Sequence, residues 1–310
     1  MSRNQLRAAA AIIVATVATL FRYAEYVRTK SSGDFDAVWF GARSIMHGIN
    51  PYPLVGPGLQ FNWEFHLNYP VTAMVAALPL SFLPELAATL VFVWVSAAIL
   101  TYGITQRGWD RIWIFPSAAF IVAARSAQWS PIYCAAYLLP GVAWMLSAKP
   151  TLGAAVAAGA QSMRTIRVAA IGTLVLLAVS FAMFPAWPKE WLRTVRGSEF
   201  SPAVMWPGGA LVLLALLRWR RPEARLLAAM ACVPLTASWY EALPLLLIGQ
   251  TKRECQVLSL LSSAGYATAG LFLAHDEFVE VRYVRSLMLA FCFFPALVTV
   301  LRRPNTASYG

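Results

Sequence analysis

Two carboxylates stand two residues apart in the segment SSGDFDAVWFGARSIMHGINPYP, residues 31–53, which follows the first long apolar run of the chain. A carboxylate held at the edge of an apolar layer can take a proton from a hydroxyl, the work of a general base. On a helix Asp34 and Asp36 lie about 200° apart, so they serve opposite flanks and do not share one ligand. The plainer role for Asp34 is a helix N-cap, its oxygens accepting backbone N–H bonds and answering the helix dipole. Those same bonds would weaken it as a base.

These acids need a frame, and the composition makes that frame a membrane. Of 310 residues, 59% are hydrophobic and 13% charged, with a mean hydropathy of +0.60, the balance of a polytopic membrane protein. Apolar runs cover 6–21, 69–83, 86–105, 112–124, 131–147, 152–160, 166–185, 207–217, 226–238, 242–249, 257–274 and 286–301. A bilayer core of about 30 Å takes about 20 residues per helix, so about 10–12 crossings fit one domain spanning residues 1–310. Several runs are short enough to be re-entrant or buried against other helices. Arg3 and Arg7 ahead of residues 8–20 resemble a signal peptide, but the many runs that follow favour an uncleaved first helix.

Alternating crossings place most short-loop Arg and Lys, among them Arg3, Arg7, Arg125, Arg164, Arg167, Arg218, Arg220, Arg221, Arg225 and Arg303, on the side of both termini. The opposite short loops hold only Arg107, Arg111, Lys149, Arg282 and Arg285. The positive-inside rule then makes the termini cytoplasmic and loops 22–68 and 186–206 external. Within the first loop Phe35, Val38, Trp39, Ala42, Ile45 and Met46 fall on one helical face, which predicts an amphipathic helix lying along the membrane surface. The net charge of +11 sits in short clusters between apolar runs, as membrane loops carry it, so no nucleic-acid partner is expected. Cys134, Cys232, Cys255 and Cys292 form no CxxC pair, and His47, His66 and His275 are isolated. They offer no metal-ligand spacing and no cofactor is expected, although the external acids leave room for a divalent ion.

The order of several weak motifs resembles glycosyltransferase family 87, the polyprenyl-phosphate-mannose-dependent mannosyltransferases. GDFDAVWFGARSIMHGINPYP is similar to the family's opening, with Asp34, Phe35, Ala42, Gly48 and Tyr52 at the matching places. NYPVTAMVAALPLSFLP follows with Tyr69, Pro70, Leu83 and Pro84, and AQWSPIYCAAYLLPGVAWMLSAKPTLG with Gln128, Lys149 and Pro150. ASWYEALPLLLI resembles a later Tyr-Asp segment, except that Tyr240 is followed by Glu241; likewise Ala127 stands where glycine is usual. The resemblance implies a GT-C-type bundle, all-α and membrane-integral, with the catalytic acid in the first external loop. It also implies inverting transfer of a sugar, mannose or another hexose, from a polyprenyl-phosphate donor to a lipid or glycan acceptor hydroxyl.

Under that resemblance Asp34 is the general base and Lys149, with Thr151 and the helix that follows, the first candidate for the donor phosphate. A lysine snorkelling to water is its plainer role. Arg193 and Arg196, interleaved with Trp187, Trp191 and Phe200, are alternative phosphate contacts or simply an interfacial helix. Glu241 and Tyr240, with Glu64, His66, Trp63 and Tyr69, are candidates for sugar or acceptor hydroxyls. Arg125 and Gln128 read as structural. The rival readings are a transporter or lipid flippase, which would hold ionisable residues near the bilayer midplane, and a non-catalytic assembly partner. A bacterial cytoplasmic membrane with the site facing outward is the expected location.

Overall fold

The computed structural model describes residues 2–197, 200–272 and 277–306, so His275 lies outside the described residues. Helix α1 (Arg3–Thr29) opens on a capping box, Ser2 accepting the Gln5 N–H while the Gln5 side chain accepts from Ser2. It runs past the expected end of the first crossing at Phe21, so residues 22–29 are helix and not loop. The continuation is held by Arg22, whose guanidinium is buried on Asp36 at 2.8 Å.

Helix α2 (Asp34–Met46) follows. The expected free polar face is reduced to Arg43: Asp36, Gly41 and Ser44 are buried along with Phe35, Val38, Trp39, Ala42 and Ile45, while Met46, expected on the apolar face, is exposed at the end of the helix. The reason is side-chain size and pairing. Gly41 lets the Met74 sulfur close onto the helix, where a Cβ would lie 3.0 Å from it, and Asp36 is neutralised by Arg22. Periodicity finds an apolar face, but it does not see that the opposite face is small enough to pack.

Two short strands, β1 (Val55–Gly56) and β2 (Phe61–Asn62), pair in parallel ahead of α3 (Val71–Ala77) and a 3-10 turn over Leu78–Leu80. This seven-residue helix is about 10 Å long and does not make the crossing expected over 69–83. The chain turns at Pro84 into α4 (Glu85–Arg107) at the same end as Asp34, since Thr89 donates to Asp36 there. α1 and α4 therefore run antiparallel. The chain then passes through a 3-10 segment (Trp109–Ile114), α5 (Ala118–Arg125) and α6 (Ser130–Leu138), and returns through a nine-residue 3-10 helix (Pro140–Ala148). The 3-10 rise of about 2.0 Å per residue lets nine residues cover about 18 Å.

α7 (Pro150–Ala158), α8 (Met163–Met183) and α9 (Trp187–Val195) come next. A bridge of β3 (Ser201–Pro202) with β4 (Pro234–Leu235) encloses a ten-residue 3-10 helix (Gly209–Arg218) and α10 (Pro222–Cys232). A 3-10 turn over Trp239–Ala242 leads to α11 (Leu243–Leu246), α12 (Lys252–Phe272), α13 (Glu277–Met288) and α14 (Phe294–Leu301), the last two joined by a π-helical turn over Leu289–Phe293. Among the described residues the fold is mostly helical, and four stretches are long and apolar enough to cross a membrane: α1, α4, α8 and Tyr283–Leu301. The expectation of 10–12 full crossings gives way to these four and a set of shorter apolar helices packed among them.

The bundle has two polar ends. At one, Glu223 joins Arg221 (2.7 Å) to Arg303 (2.9 Å), Arg303 reaches Glu254 at 2.6 Å, and Arg225 donates to the carbonyls of Ala158 and Ala160. Arg107 ends α4 on this side, and the 3-10 segment that carries Arg111 packs against α12, which bears Glu254. At the other end lie Asp34, Arg125 and Lys149. Arg107 and Arg111 were expected beside Asp34 and Arg125 opposite; the missing crossing at 69–83 exchanges them. The run 131–147 then folds into two passes, α6 and its 3-10 return, where one was expected. That second difference brings Lys149 back to the Asp34 end.

Candidate functional site

Asp34 occupies the first position of α2, and its backbone N–H goes to the Ser126 carbonyl (3.0 Å). Capping is done by Asp36, whose Oδ2 accepts the Gly33 N–H (2.5 Å) and the Arg22 guanidinium while its Oδ1 accepts from Thr89. Arg22 also donates to the carbonyls of Ser31 (3.0 Å) and Arg125 (3.3 Å), tying the end of α1 to both segments that flank Asp34. The two aspartates have separate tasks: Asp36 closes the helix start, and the Asp34 carboxylate is left to side-chain partners.

Those partners come from distant segments. The Tyr69 hydroxyl donates to Asp34 Oδ2 at 2.6 Å and accepts from Lys149 Nζ at 3.3 Å. Lys149 Nζ lies 3.8 Å from Asp34 Oδ2 and 3.5 Å from Gln128 Oε1. It also lies over the Tyr240 ring at 4.9 Å and the Tyr69 ring at 5.4 Å, a cation–π cage. Tyr69 is anchored from behind, its carbonyl accepting from Tyr52 (3.2 Å), and the Lys149 N–H bonds the Tyr133 hydroxyl (2.5 Å). The floor is aromatic, with Trp129 beside Tyr69, Phe92 and Phe35, and Phe35 stacked on Phe92 at 4.0 Å. Each side chain of the Asp34–Lys149 pair keeps 12% of its surface exposed, so the pair is mostly, not wholly, withdrawn from the surroundings.

Glu241 is buried in the 3-10 turn, accepting the Thr236 N–H at 2.8 Å. Burial pushes its carboxyl up, opposed first by the Lys149 charge. Burial and then the Asp34 charge keep the Tyr69 and Tyr240 phenols protonated. Glu64 stands at the rim, its pKa raised by the protein around it and then by Asp34.

One feature of the chain trace unites four residues of the site: each sits at or within two residues of a helix start. Asp34 begins α2, Tyr69 precedes α3 by two residues, Gln128 precedes α6 by two, and Lys149 caps α7. Helix starts present the positive end of the peptide dipole, so they add to the one lysine in answering the acids of the site. Close by in sequence, Trp129 Nε1, Ser130 Oγ and Ser147 Oγ are buried without a hydrogen-bond partner. The signal was present in the sequence as Pro70, Pro131 and Pro150, since proline favours the first turn of a helix.

Of the expected site residues, Asp34, Tyr69, Lys149, Tyr240 and Glu241 meet, with Glu64 at the edge. Arg193 and Arg196 do not: both are exposed on α9, and Arg193 pairs with Glu190 at 3.0 Å. Their sequence neighbours Trp187 and Trp191 take the inner side of that helix, which turns the arginines outward. Trp63 packs edge-on against Phe65, and His66 against Gly56, where a Cβ would come within 2.6 Å of its ring. Gln128, read as structural, belongs to the lysine cage. Arg125 is structural, with both of its bonds going to Glu25. Ala127, where the resemblance has glycine, holds φ +49°, the left-handed region that glycine enters most freely. Among the described residues no three His, Cys, Asp or Glu side chains gather as a metal site would require. No family model matches the chain, and no curated protein or solved structure is significantly similar to it.

The arrangement offers three chemical capacities in one place. The Asp34 carboxylate can accept a proton, Lys149 with the surrounding helix starts can hold an anion, and the tyrosines and Glu241 can bond hydroxyls.

Proposed function

We propose that this chain is an integral-membrane glycosyltransferase that takes a hexose from a polyprenyl-phosphate donor and gives it, with inversion, to a lipid or glycan hydroxyl. The observation that carries the reading is the meeting of Asp34, Tyr69, Gln128, Lys149 and Tyr240–Glu241 around one ammonium group. They come from the four sequence segments that resemble family 87, and their convergence is what supports the reading.

The acceptor oxygen attacks the anomeric carbon as the bond from that carbon to the phosphate oxygen breaks. The acceptor proton passes to Asp34, and the phosphate leaves with the electron pair of the broken bond. Lys149 then answers the phosphate charge in place of the Asp34 charge, with the α6 and α7 starts adding N–H groups. Tyr69 holds Asp34 in orientation, and the Glu241 carboxyl lies within the field of the lysine charge. Arg193 and Arg196 take no part. The dense basic cluster at the far end of the bundle favours a cytoplasmic position for that end, which turns the site outward. A transporter reading gains little, because the ionisable groups gather at helix starts instead of midway along the long helices.

The test is incubation of the purified protein with radiolabelled polyprenyl-phosphate sugars and a membrane lipid extract, followed by identification of the labelled product. Asp34→Asn is expected to abolish transfer with the protein folded and donor binding retained. Near-normal transfer by that variant would remove Asp34 from the role of base, and no transfer from any lipid-linked donor would remove the reading.

A further inference from the structure

α9 carries charge that the candidate site does not use. It begins just beyond α8, the least buried of the four helices long and apolar enough to cross a membrane, with 11% of its apolar window buried in the protein. The inner side of α9 is aromatic: Trp187 is buried beside Phe181 (5.7 Å) and Trp191 (6.0 Å), and Trp191 donates to the Asn68 carbonyl at 2.9 Å. The outer side is a single exposed stripe of Lys189, Leu192, Arg193 and Arg196, spaced by three and four residues. Glu190 shares the Arg193 charge, which leaves the stripe cationic.

A helix of this build, starting where an apolar helix ends, lies at the depth of the headgroup phosphates. We infer that the stripe docks on anionic phospholipid headgroups around the Asp34 end, and that docking steadies Asn68 and Tyr69 through Trp191. Leu192 decides between a lipid layer and a soluble anion. Set among the cations, it would stay in water beside a dissolved phosphate, whereas the acyl boundary of a bilayer accommodates it. The inference stands apart from the transferase reading and holds or fails without it.

The test is amide hydrogen exchange of the full chain in nanodiscs of zwitterionic lipid and in nanodiscs about one third anionic phosphatidylglycerol. Exchange over residues 189–196 is expected to slow by about tenfold or more in the anionic discs, the change due to cations at an anionic surface, with Asn68 and Tyr69 slowing in parallel. The difference is expected to vanish in about 1 M salt, where the screening length is about 3 Å, and in the variant K189Q/R193Q/R196Q. All three side chains are exposed, so an unchanged Tm of that variant keeps the comparison clean. Equal exchange in the two discs, or a difference that survives in the triple variant, overturns docking. Equal slowing by inorganic phosphate in zwitterionic discs assigns the stripe to a soluble anion and also overturns it. Slowing of α9 with none at Asn68 and Tyr69 overturns the coupling.

Discussion

Lys149→Met separates the chemical role of the lysine from its structural one. At 3.8 Å from Asp34, and with an effective dielectric of about 20, the pair gains about 4 kcal/mol of Coulomb energy. Holding both groups mostly out of water takes back much of this, so a net loss of about 1–2 kcal/mol and a fall in Tm of about 2–6 °C are expected. Methionine keeps the apolar stem between the Tyr69 and Tyr240 rings, which limits the damage to packing. The rate should suffer far more, because removing a preorganised donor from a developing charge typically costs about 10²–10³ in kcat. The assay is the initial rate of labelled-sugar transfer, with thermal unfolding in detergent as the control. Transfer within about threefold of the parent protein, alongside a lowered Tm, would show that Lys149 only neutralises Asp34 and would sink the phosphate assignment.

Three further outcomes follow from the geometry. Arg22→Met strands a buried Asp36 and should cost about 3–5 kcal/mol of stability, partly recovered when Asp36 is also replaced by leucine; thermal unfolding of the single and double variants decides it. Glu241 has a raised pKa, so its contribution is fully present below the ordinary carboxyl value and lost as pH rises through the folded value. Glu241→Gln should therefore flatten the loss of stability between acid and neutral pH, and an unchanged pH profile would contradict its burial. Ala127→Gly should keep transfer intact and change stability by less than about 1 kcal/mol, whereas Ala127→Val should lose about 1–3 kcal/mol, both read by unfolding.

Much of the site was legible because its residues are marked locally. Asp34, Tyr69, Lys149 and Glu241 each stand where an apolar run meets a helix start, and proline follows two of them directly. What could not be read was which faces close. α2 shows an apolar stripe in sequence, yet Gly41, Ser44 and the Arg22–Asp36 pair let its other face pack as well. Arg193 and Arg196 are cations beside tryptophans, and sequence does not say which of the two kinds turns inward. The crossings failed for a related reason: length marks a run as apolar, but only packing shows that 69–83 stays at one end and that 131–147 folds back on itself. These two differences cancel in their effect on Lys149, which is why it lies at the Asp34 end as expected although by a different path.

The first helix also sets a depth. Arg22 meets Asp36 two residues beyond Asp34, and α1 then runs on to Thr29, about 10 Å of helix. With its 27 residues α1 is about 40 Å long, the thickness of a whole bilayer with its headgroups. The Asp34–Lys149 pair thus sits below the end of α1; with α1 spanning a bilayer end to end, as its length and apolar composition allow, that level is where headgroups give way to acyl chains. On the proposed transferase reading, a lipid-borne phosphate would travel in that plane and reach the pair by moving sideways, without being lifted out of the bilayer. A water-soluble acceptor would have to descend to meet it, so the same reading expects an acceptor hydroxyl that is itself carried on a membrane anchor.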